Sequence, residues 1–288
     1  MAGYRRRCLE MQIQKVLNNN VISVIDEQGK EIVVMGRGIA FQRRPGDPVD
    51  EALIDKVFRL EDHSVHERMK MLLQEVPYDV VKVTEEMIQY AHTKLNRRLN
   101  ESLHVSLADH IHYAIERLKK NHLIENSLIW EIKRLYKDEF LVAKECLEMI
   151  EDRLHIELPE DEAGFIAMHI INAELNEDMN TTVNITKEVN AILTIVKYHL
   201  NMEFDEDSLN FYRFLTHLRF FVQRLINETL LVSEDQDLYQ LIKVKYPKAY
   251  ECAKKIAEYV YQTYHRDLTS EEMLYLSIHL NRLIKREK

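Results

Sequence analysis

Glycine is nearly missing from most of this chain. Five of its six glycines (Gly3, Gly29, Gly36, Gly38 and Gly46) precede residue 50, and only Gly164 follows. So long a stretch with one glycine has few tight turns of positive φ and should be mostly helix. Proline is also scarce, at five residues. Three cysteines, Cys8, Cys146 and Cys252, lack CxxC or Cys/His spacing, which argues against a disulfide framework and a zinc module and fits a reducing cytoplasm. No apolar run approaches the roughly 18 residues of a membrane span, so no membrane insertion is expected. The start, MAGYRRRCLE, has no apolar segment after its basic residues and is not a signal peptide. Residues 1–10 read as a tag or upstream extension, with Met11 as the natural first residue. Walker A, GxGxxG, GxSxG and HExxH motifs are all missing, so a conventional enzyme, a cofactor or a metal has no support.

The net charge is −9 and charged residues make up 30% of the chain, an ordinary soluble surface. Length alone predicts about two domains, but the pattern divides the chain into three parts. Residues 12–60 hold four short β-branched runs, QIQKVL, VISVI, EIVVM and IDKVFRL, separated by turn-forming stretches. A small four-stranded antiparallel sheet follows, with Gln28-Gly29 at a hairpin corner. Such a sheet is marginal as a monomer, so self-association is expected. Residues 63–70 read as a polar linker entering a helix.

From about residue 76 the 3.6-residue period dominates, and the order of helices repeats. EEMIQYAHTKL, LADHIHYAIERL, the long LIWEIKRLYKDEFLVAKECLEMIEDRL and DEAGFIAMHIINAEL find counterparts in VNAILTIVKYHL, LNFYRFLTHLRFFVQRLI, YPKAYECAKKIAEYVYQTY and SEEMLYLSIHLNRLI. LPEDEAGFIAMH at 158–169 aligns without gaps on LTSEEMLYLSIH at 268–279. The fold class is therefore multidomain: a small all-β N-terminal domain, then two duplicated all-α helical bundles. Their expected limits are 11–66, 75–180 and 181–288, a period too long for a solenoid.

The repeat isolates four histidines. His110 and His169 lie 59 residues apart, and His217 and His279 lie 62 apart. Each has apolar residues at −3, +1 and +4, so each rides on or beside the buried stripe of a helix. Any one of them could be a satisfied core histidine, but four matched copies point elsewhere. A neutral imidazole nitrogen is a nucleophile near pH 7, and a phosphoryl group there would add about two negative charges. Placed at a domain contact, that charge is a switch. His112 cannot share a helix face with His110, which argues against a metal pair. The acidic pairs Asp161-Glu162 and Glu271-Glu272 read as first-turn residues favouring the helix dipole, and Thr269 with Glu272 as a capping box.

With these blocks in order, the sequence resembles BglG/SacY-type transcriptional antiterminators, LicT-like members in particular. IQKVLNNNVISVIDEQGKEIVVMGRGIAFQRRPGD is similar to their RNA-binding domain. SLADHIHYAI, LPEDEAGFIAMHIINAELNE, FLTHLRFF and YLSIHLNRL are similar to their paired phosphotransferase-system regulation domains, or PRDs. The resemblance implies a cytoplasmic homodimer whose small domain binds an mRNA leader hairpin and prevents an overlapping terminator from forming. It implies an RNA face that includes Lys15, Asn20, Gly36, Arg37, Gly38 and Phe41. The chemistry fits: Arg37 can contact phosphates or base edges, Asn20 base edges, and Phe41 an unpaired base. Read alone, GRG is equally a simple turn. Residues 11–44 carry a surplus of only +2 and residues 45–62 a net −4, so recognition should rest on specific contacts more than bulk charge.

The resemblance also implies control by the sugar phosphotransferase system. Phosphorylation of His110 and His169, linked to a sugar-specific permease, would inhibit. Phosphorylation of His217 and His279 by the histidine phosphocarrier protein would activate. LicT-like similarity points to a β-glucoside utilisation operon. The chain would then be a phosphoacceptor and not an enzyme. A DNA-binding PRD activator would need helix-turn-helix segments where this chain has strands. A histidine phosphotransferase would need an ATP site or a transfer domain, and neither is visible.

Overall fold

The computed structural model describes residues 11–26, 28–59, 61–231 and 236–285, with the side chains of 236–238 excepted. The reading of residues 1–10 lies outside the described residues, as does Cys8. Four strands, β1 (Ile13–Asn18), β2 (Val21–Ile25), β3 (Glu31–Met35) and β4 (Lys56–Phe58), form an antiparallel sheet in the order 1-2-3-4. Strand alternation builds a core from Ile13, Ile22, Val24, Ile32, Val34, Ile39 and Ala40. The β2–β3 corner is closed at Gly29, whose φ is +77. There Asp26 accepts from the backbone N–H groups of Gln28 and Lys30, an Asx turn of the kind expected at a tight corner.

The opposite face of the sheet, with Val21, Val33, Met35 and Phe58, is also buried. Helix α1 (His63–Glu75) meets this sheet: Asn18 Nδ2 donates to the Leu73 carbonyl at 2.5 Å, and Lys70 Nζ donates to Glu31 at 3.0 Å. The expectation of a linker over 63–70 is corrected here. Asp62 caps α1 by accepting from Ser64 and Val65 N–H, so the segment is helical from His63 onward. Val65, Met69, Leu72 and Leu73 supply its buried stripe.

Eleven helices are described in all. They continue as α2 (Tyr78–Leu95), α3 (Ser102–Lys119), α4 (Ile129–Leu135), α5 (Lys137–Leu154) and α6 (Glu160–Leu175). The second set is α7 (Met179–Leu200), α8 (Leu209–Ile226), α9 (Gln236–Lys245), α10 (Pro247–Tyr264) and α11 (Ser270–Ile284). The repeat is thus five helices long rather than four. The long third segment breaks at Tyr136, as its counterpart breaks at Tyr246; φ is −133 and −130 at these two positions. Two compact units result. One holds the residues up to Ile129 together with Tyr136–Asn176, and the other holds Trp130–Leu135 and the residues from Glu177 on. Within the first, α2 packs on α3 and α5, and α6 on α3 and α5; within the second, α11 packs on α8 and α10.

The glycine argument holds for helix content and fails for turns. Left-handed residues are present, but asparagine and histidine carry them: Asn96, Asn176, Asn201, His155 and His265 all end helices with φ between 46 and 57. Asparagine tolerates this region better than most residues, so scarcity of glycine does not mean scarcity of αL caps.

Candidate functional site

The four matched histidines form two pairs, one in each compact unit. In the first, α3 carries His110 and α6 carries His169; their ring centroids lie 4.9 Å apart at 45°. In the second, α8 carries His217 and α11 carries His279, with the rings stacked at 3.6 Å and 25°. A seven-residue helical spacing returns to the same face, and each pair is bracketed at that spacing. Arg117 follows His110 by seven, and Glu162 precedes His169 by seven. Arg224 and Glu272 stand in the same relation to His217 and His279.

These brackets close on one another. Arg117 Nη2 donates to Glu162 Oε1 at 2.9 Å. Arg224 grips Glu272 with two parallel bonds of 2.9 and 2.8 Å, and the Leu231 N–H adds a third to the same carboxylate. Both carboxylates are buried, at 3% and 0% exposure. Burial alone would raise the Glu162 pKa, but the adjoining His110 and Arg117 outweigh it and hold the carboxyl ionised, below its ordinary value. Glu162 and Glu272 do lie in the first turns of α6 and α11, and each also closes an internal ion pair. Thr269 does cap α11 by accepting the Glu272 N–H at 3.1 Å, while the Glu272 carboxylate turns inward to Arg224. The step of seven from Glu162 to His169 and from Glu272 to His279 is legible in the sequence; the signal missed was the matching step from His110 to Arg117 and from His217 to Arg224.

Burial and nearby charge disfavour the protonated form of three of these imidazoles. Burial and the neighbouring His110 push the His169 pKa down to about 3, and its Nδ1 is sealed without a hydrogen-bond partner. Burial, His217 and Arg282 push His279 down to about 4. Burial, Arg282 and Arg224 lower His217 as well. His110 Nε2 lies 2.9 Å from Glu162 Oε2, but off the line that a ring N–H needs, so the contact is a close pairing rather than an aligned hydrogen bond. Neutral imidazoles beside arginines have the lone pair of a nucleophile and cations ready for an added anion.

The remaining expected residues lie on the sheet domain. Two loops there are fastened together. Asn20 accepts from Gly36 N–H through its backbone carbonyl at 2.9 Å and from Gly38 N–H through Oδ1 at 2.8 Å, and the Asn19 carbonyl accepts from Ala40 N–H at 3.1 Å. Asn20 Oδ1 therefore helps shape the loop, and its Nδ2 is the group of this side chain that can meet a base edge. Gly36 is required by packing, because a Cβ would stand 1.7 Å from the Leu53 carbonyl oxygen. Gly38 is required by its φ of +72. Phe41 is 62% exposed, which excludes a core role. Lys15 is exposed on β1. Arg37 is exposed but engaged: its guanidinium donates to Asp79 and lies over the Tyr78 ring, both at the start of α2.

Other chemistry-bearing groups are accounted for. Glu31, His66 and Glu67 bring their ligand atoms within 4.8 Å, but Lys70 Nζ bonds both carboxylates at 3.0 Å and supplies the cation itself. Cys146 and Cys252 are buried and free, with burial pushing both thiols up to about 12. Among the described residues, no helix is long and apolar enough to cross a membrane.

Comparison with known proteins matches these two regions. The CAT RNA binding domain model covers residues 11–67, and the PRD domain model covers 85–173 and 190–283. The transcription antiterminator LicT of Bacillus subtilis (strain 168) is 56% identical over 96% of this chain and 99% of its own. The beta-glucoside operon antiterminator of Dickeya chrysanthemi is 46% identical over 95% of this chain and 96% of its own. The crystal structure of GlcT CAT-PRDI aligns with a TM-score of 0.50 and 35% identity, over 57% of this chain and 98% of that one. With one sheet domain, two histidine pairs and near full-length relatives in agreement, the chain belongs to the family of transcription antiterminators built from a CAT RNA-binding domain and two PRDs.

Proposed function

We propose that this chain is a sugar-responsive antiterminator. Residues 11–66 bind a hairpin in an mRNA leader and keep a terminator from forming; residues 75–180 and 181–288 are the regulation domains. The observation that carries the reading is the duplicated His–Arg–Glu–His arrangement, in which paired imidazoles lie beside a buried Arg–Glu bond. A phosphoryl dianion on a ring there competes with the carboxylate for the arginine. The ion pair must reorganise, and the helix contact with it, which gives the local charge a route to a global state. His110, His169, His217 and His279 are phosphoacceptors rather than catalysts. The histidine phosphocarrier protein serves the second pair and a sugar-specific permease the first. The protein works as a cytoplasmic homodimer. The printed name of the Dickeya relative supports β-glucosides as the sugar class.

The test compares a labelled RNA hairpin with duplex DNA of the same sequence, and then a read-through reporter. RNA-selective binding is expected. His110→Asp or His169→Asp should reduce read-through, and His217→Asp with His279→Asp should raise it without phosphocarrier. Acidic changes in both units that push activity the same way would overturn the opposed-switch reading.

A further inference from the structure

The two histidine pairs differ at one matched position. The gapless register of 158–169 on 268–279 puts Phe165 where the second unit has Tyr275. Both rings lie against the histidine carried by the facing helix, at 5.7 Å from His110 and 5.6 Å from His217. Only Tyr275 has a hydroxyl. That hydroxyl lies 2.9 Å from His217 Nδ1 and 3.1 Å from the His217 backbone carbonyl, to which it donates.

The proton count links the Tyr275 hydroxyl to the His217 tautomer. A phenol has one proton to give, and a carbonyl oxygen can only accept. That proton has two acceptors in reach, Nδ1 and the carbonyl; where it goes to the carbonyl, the Tyr275 oxygen meets Nδ1 through a lone pair and Nδ1 is the donor. A neutral imidazole has a single N–H. In that arrangement the lone pair of His217 lies on Nε2. Among the described residues, no hydrogen bond holds Nε2.

The first unit is built the other way. Phe165 offers nothing to a ring nitrogen. Instead Glu162 Oε2 stands 2.9 Å from His110 Nε2, and that nitrogen is sealed from solvent. An ionised carboxylate favours N–H at Nε2 and repels a phosphoryl dianion there. Nδ1 is the nitrogen left to attack.

We propose that Tyr275 is a positioning residue that holds His217 as the Nδ1–H tautomer, so that this histidine accepts a phosphoryl group at Nε2 whereas His110 accepts at Nδ1. The proposal rests on the phosphoacceptor reading given above. The step balances. The Nε2 lone pair forms the new N–P bond while the N–P bond of the donor phosphohistidine breaks, and the donor ring, protonated on its other nitrogen, keeps that electron pair and leaves as a neutral imidazole. His217 retains its Nδ1 proton throughout, so no proton changes hands. A partner protein that presents its phosphoryl group to one nitrogen is thereby matched to one unit.

The experiment uses the full chain with 15N-labelled histidine. Imidazole 1H–15N spectra of the unphosphorylated protein, assigned with His217→Gln, should show a protonated Nδ1 and a lone-pair Nε2 at His217. Tyr275→Phe, with its fold checked by circular dichroism, should shift this signature toward a tautomer mixture and slow phosphorylation of residue 217 about three- to tenfold. The protein is then loaded from phosphorylated histidine phosphocarrier protein or from phosphoramidate, and phosphorus and nitrogen spectra locate the N–P bond. Phosphate on Nε2 of His217 and Nδ1 of His110 is the expected result. A protonated Nε2 on unphosphorylated His217, or phosphate on the same nitrogen in both units, would overturn the proposal. Failure of any histidine to take phosphate overturns the phosphoacceptor reading instead, and the tautomer spectra still decide what Tyr275 does.

Discussion

Arg37 of the 36–40 loop donates to Asp79 on the first turn of α2 at 2.5 Å, and its guanidinium lies 5.4 Å from the centroid of the Tyr78 ring. Tyr78 in turn donates to Asp55, which also accepts the Arg37 backbone N–H at 3.3 Å. An arginine expected to meet RNA is thus engaged by the first turn of α2 of its own chain. Both partners are largely exposed, so the ion pair is worth at most about 1 kcal/mol. Asp79→Ala should therefore raise affinity for the RNA hairpin about two- to fivefold, with the gain shrinking at high salt. Titrations at two ionic strengths measure it; unchanged affinity at low salt would show that the contact does not compete with RNA.

Phe41→Ala should weaken hairpin binding by about 1–3 kcal/mol if the ring stacks on a base. Its exposure means that the fold loses little, so thermal melting should move only slightly. A large drop in melting temperature with affinity intact would contradict this.

Breaking one partner of the buried Arg224–Glu272 pair leaves a carboxylate without its cation. Arg224→Met should cost about 3–5 kcal/mol in urea denaturation. Replacing both residues, Arg224→Met with Glu272→Leu, should recover much of that loss, because no buried charge is then stranded. A double variant no more stable than Arg224→Met would assign the loss to packing.

The depressed histidine pKa values set a pH dependence. His169 and His279 bind their protons only near pH 3 and 4, whereas an unfolded chain binds them near 6.5. The unfolded state therefore holds more protons between those limits. Stability contributed by the two neutral rings is present above about pH 6.5 and is lost as pH falls toward 4. Urea midpoints should drop between pH 7 and 5, by about 1 kcal/mol or more for the pair. His169→Gln should flatten the slope; an unchanged slope would mean that other groups set it.

The elements that were legible in the sequence are those governed by local period. Alternation at Ile22, Val24, Ile32 and Val34 marks the sheet, and the matched 158–169 and 268–279 segments mark the duplicated helix. The pairing of His110 with His169, and of His217 with His279, was not local; the repeat exposed the four residues without showing that their rings touch. Glu162 and Glu272 are first-turn acids as expected, but that position satisfies the helix dipole whichever way the side chain points and does not reveal its partner. Only tertiary packing turns them onto Arg117 and Arg224. The bond from Gly38 N–H to Asn20 Oδ1 joins positions eighteen residues apart, which no local pattern shows. The break at Tyr136 has no glycine or proline to announce it.

The fastening of the 19–20 turn to the 36–40 loop has a thermodynamic consequence. Three hydrogen bonds, a glycine wedged against Leu53 and a second glycine set at positive φ hold the backbone of this surface in one conformation before any ligand arrives. Binding then removes little main-chain freedom from the protein, where ordering a residue costs about 1–2 kcal/mol. The ordering cost of association falls on the long side chains of Lys15 and Arg37 and on the nucleic acid, so sequences already folded into the right shape should be favoured over those that must be bent into it.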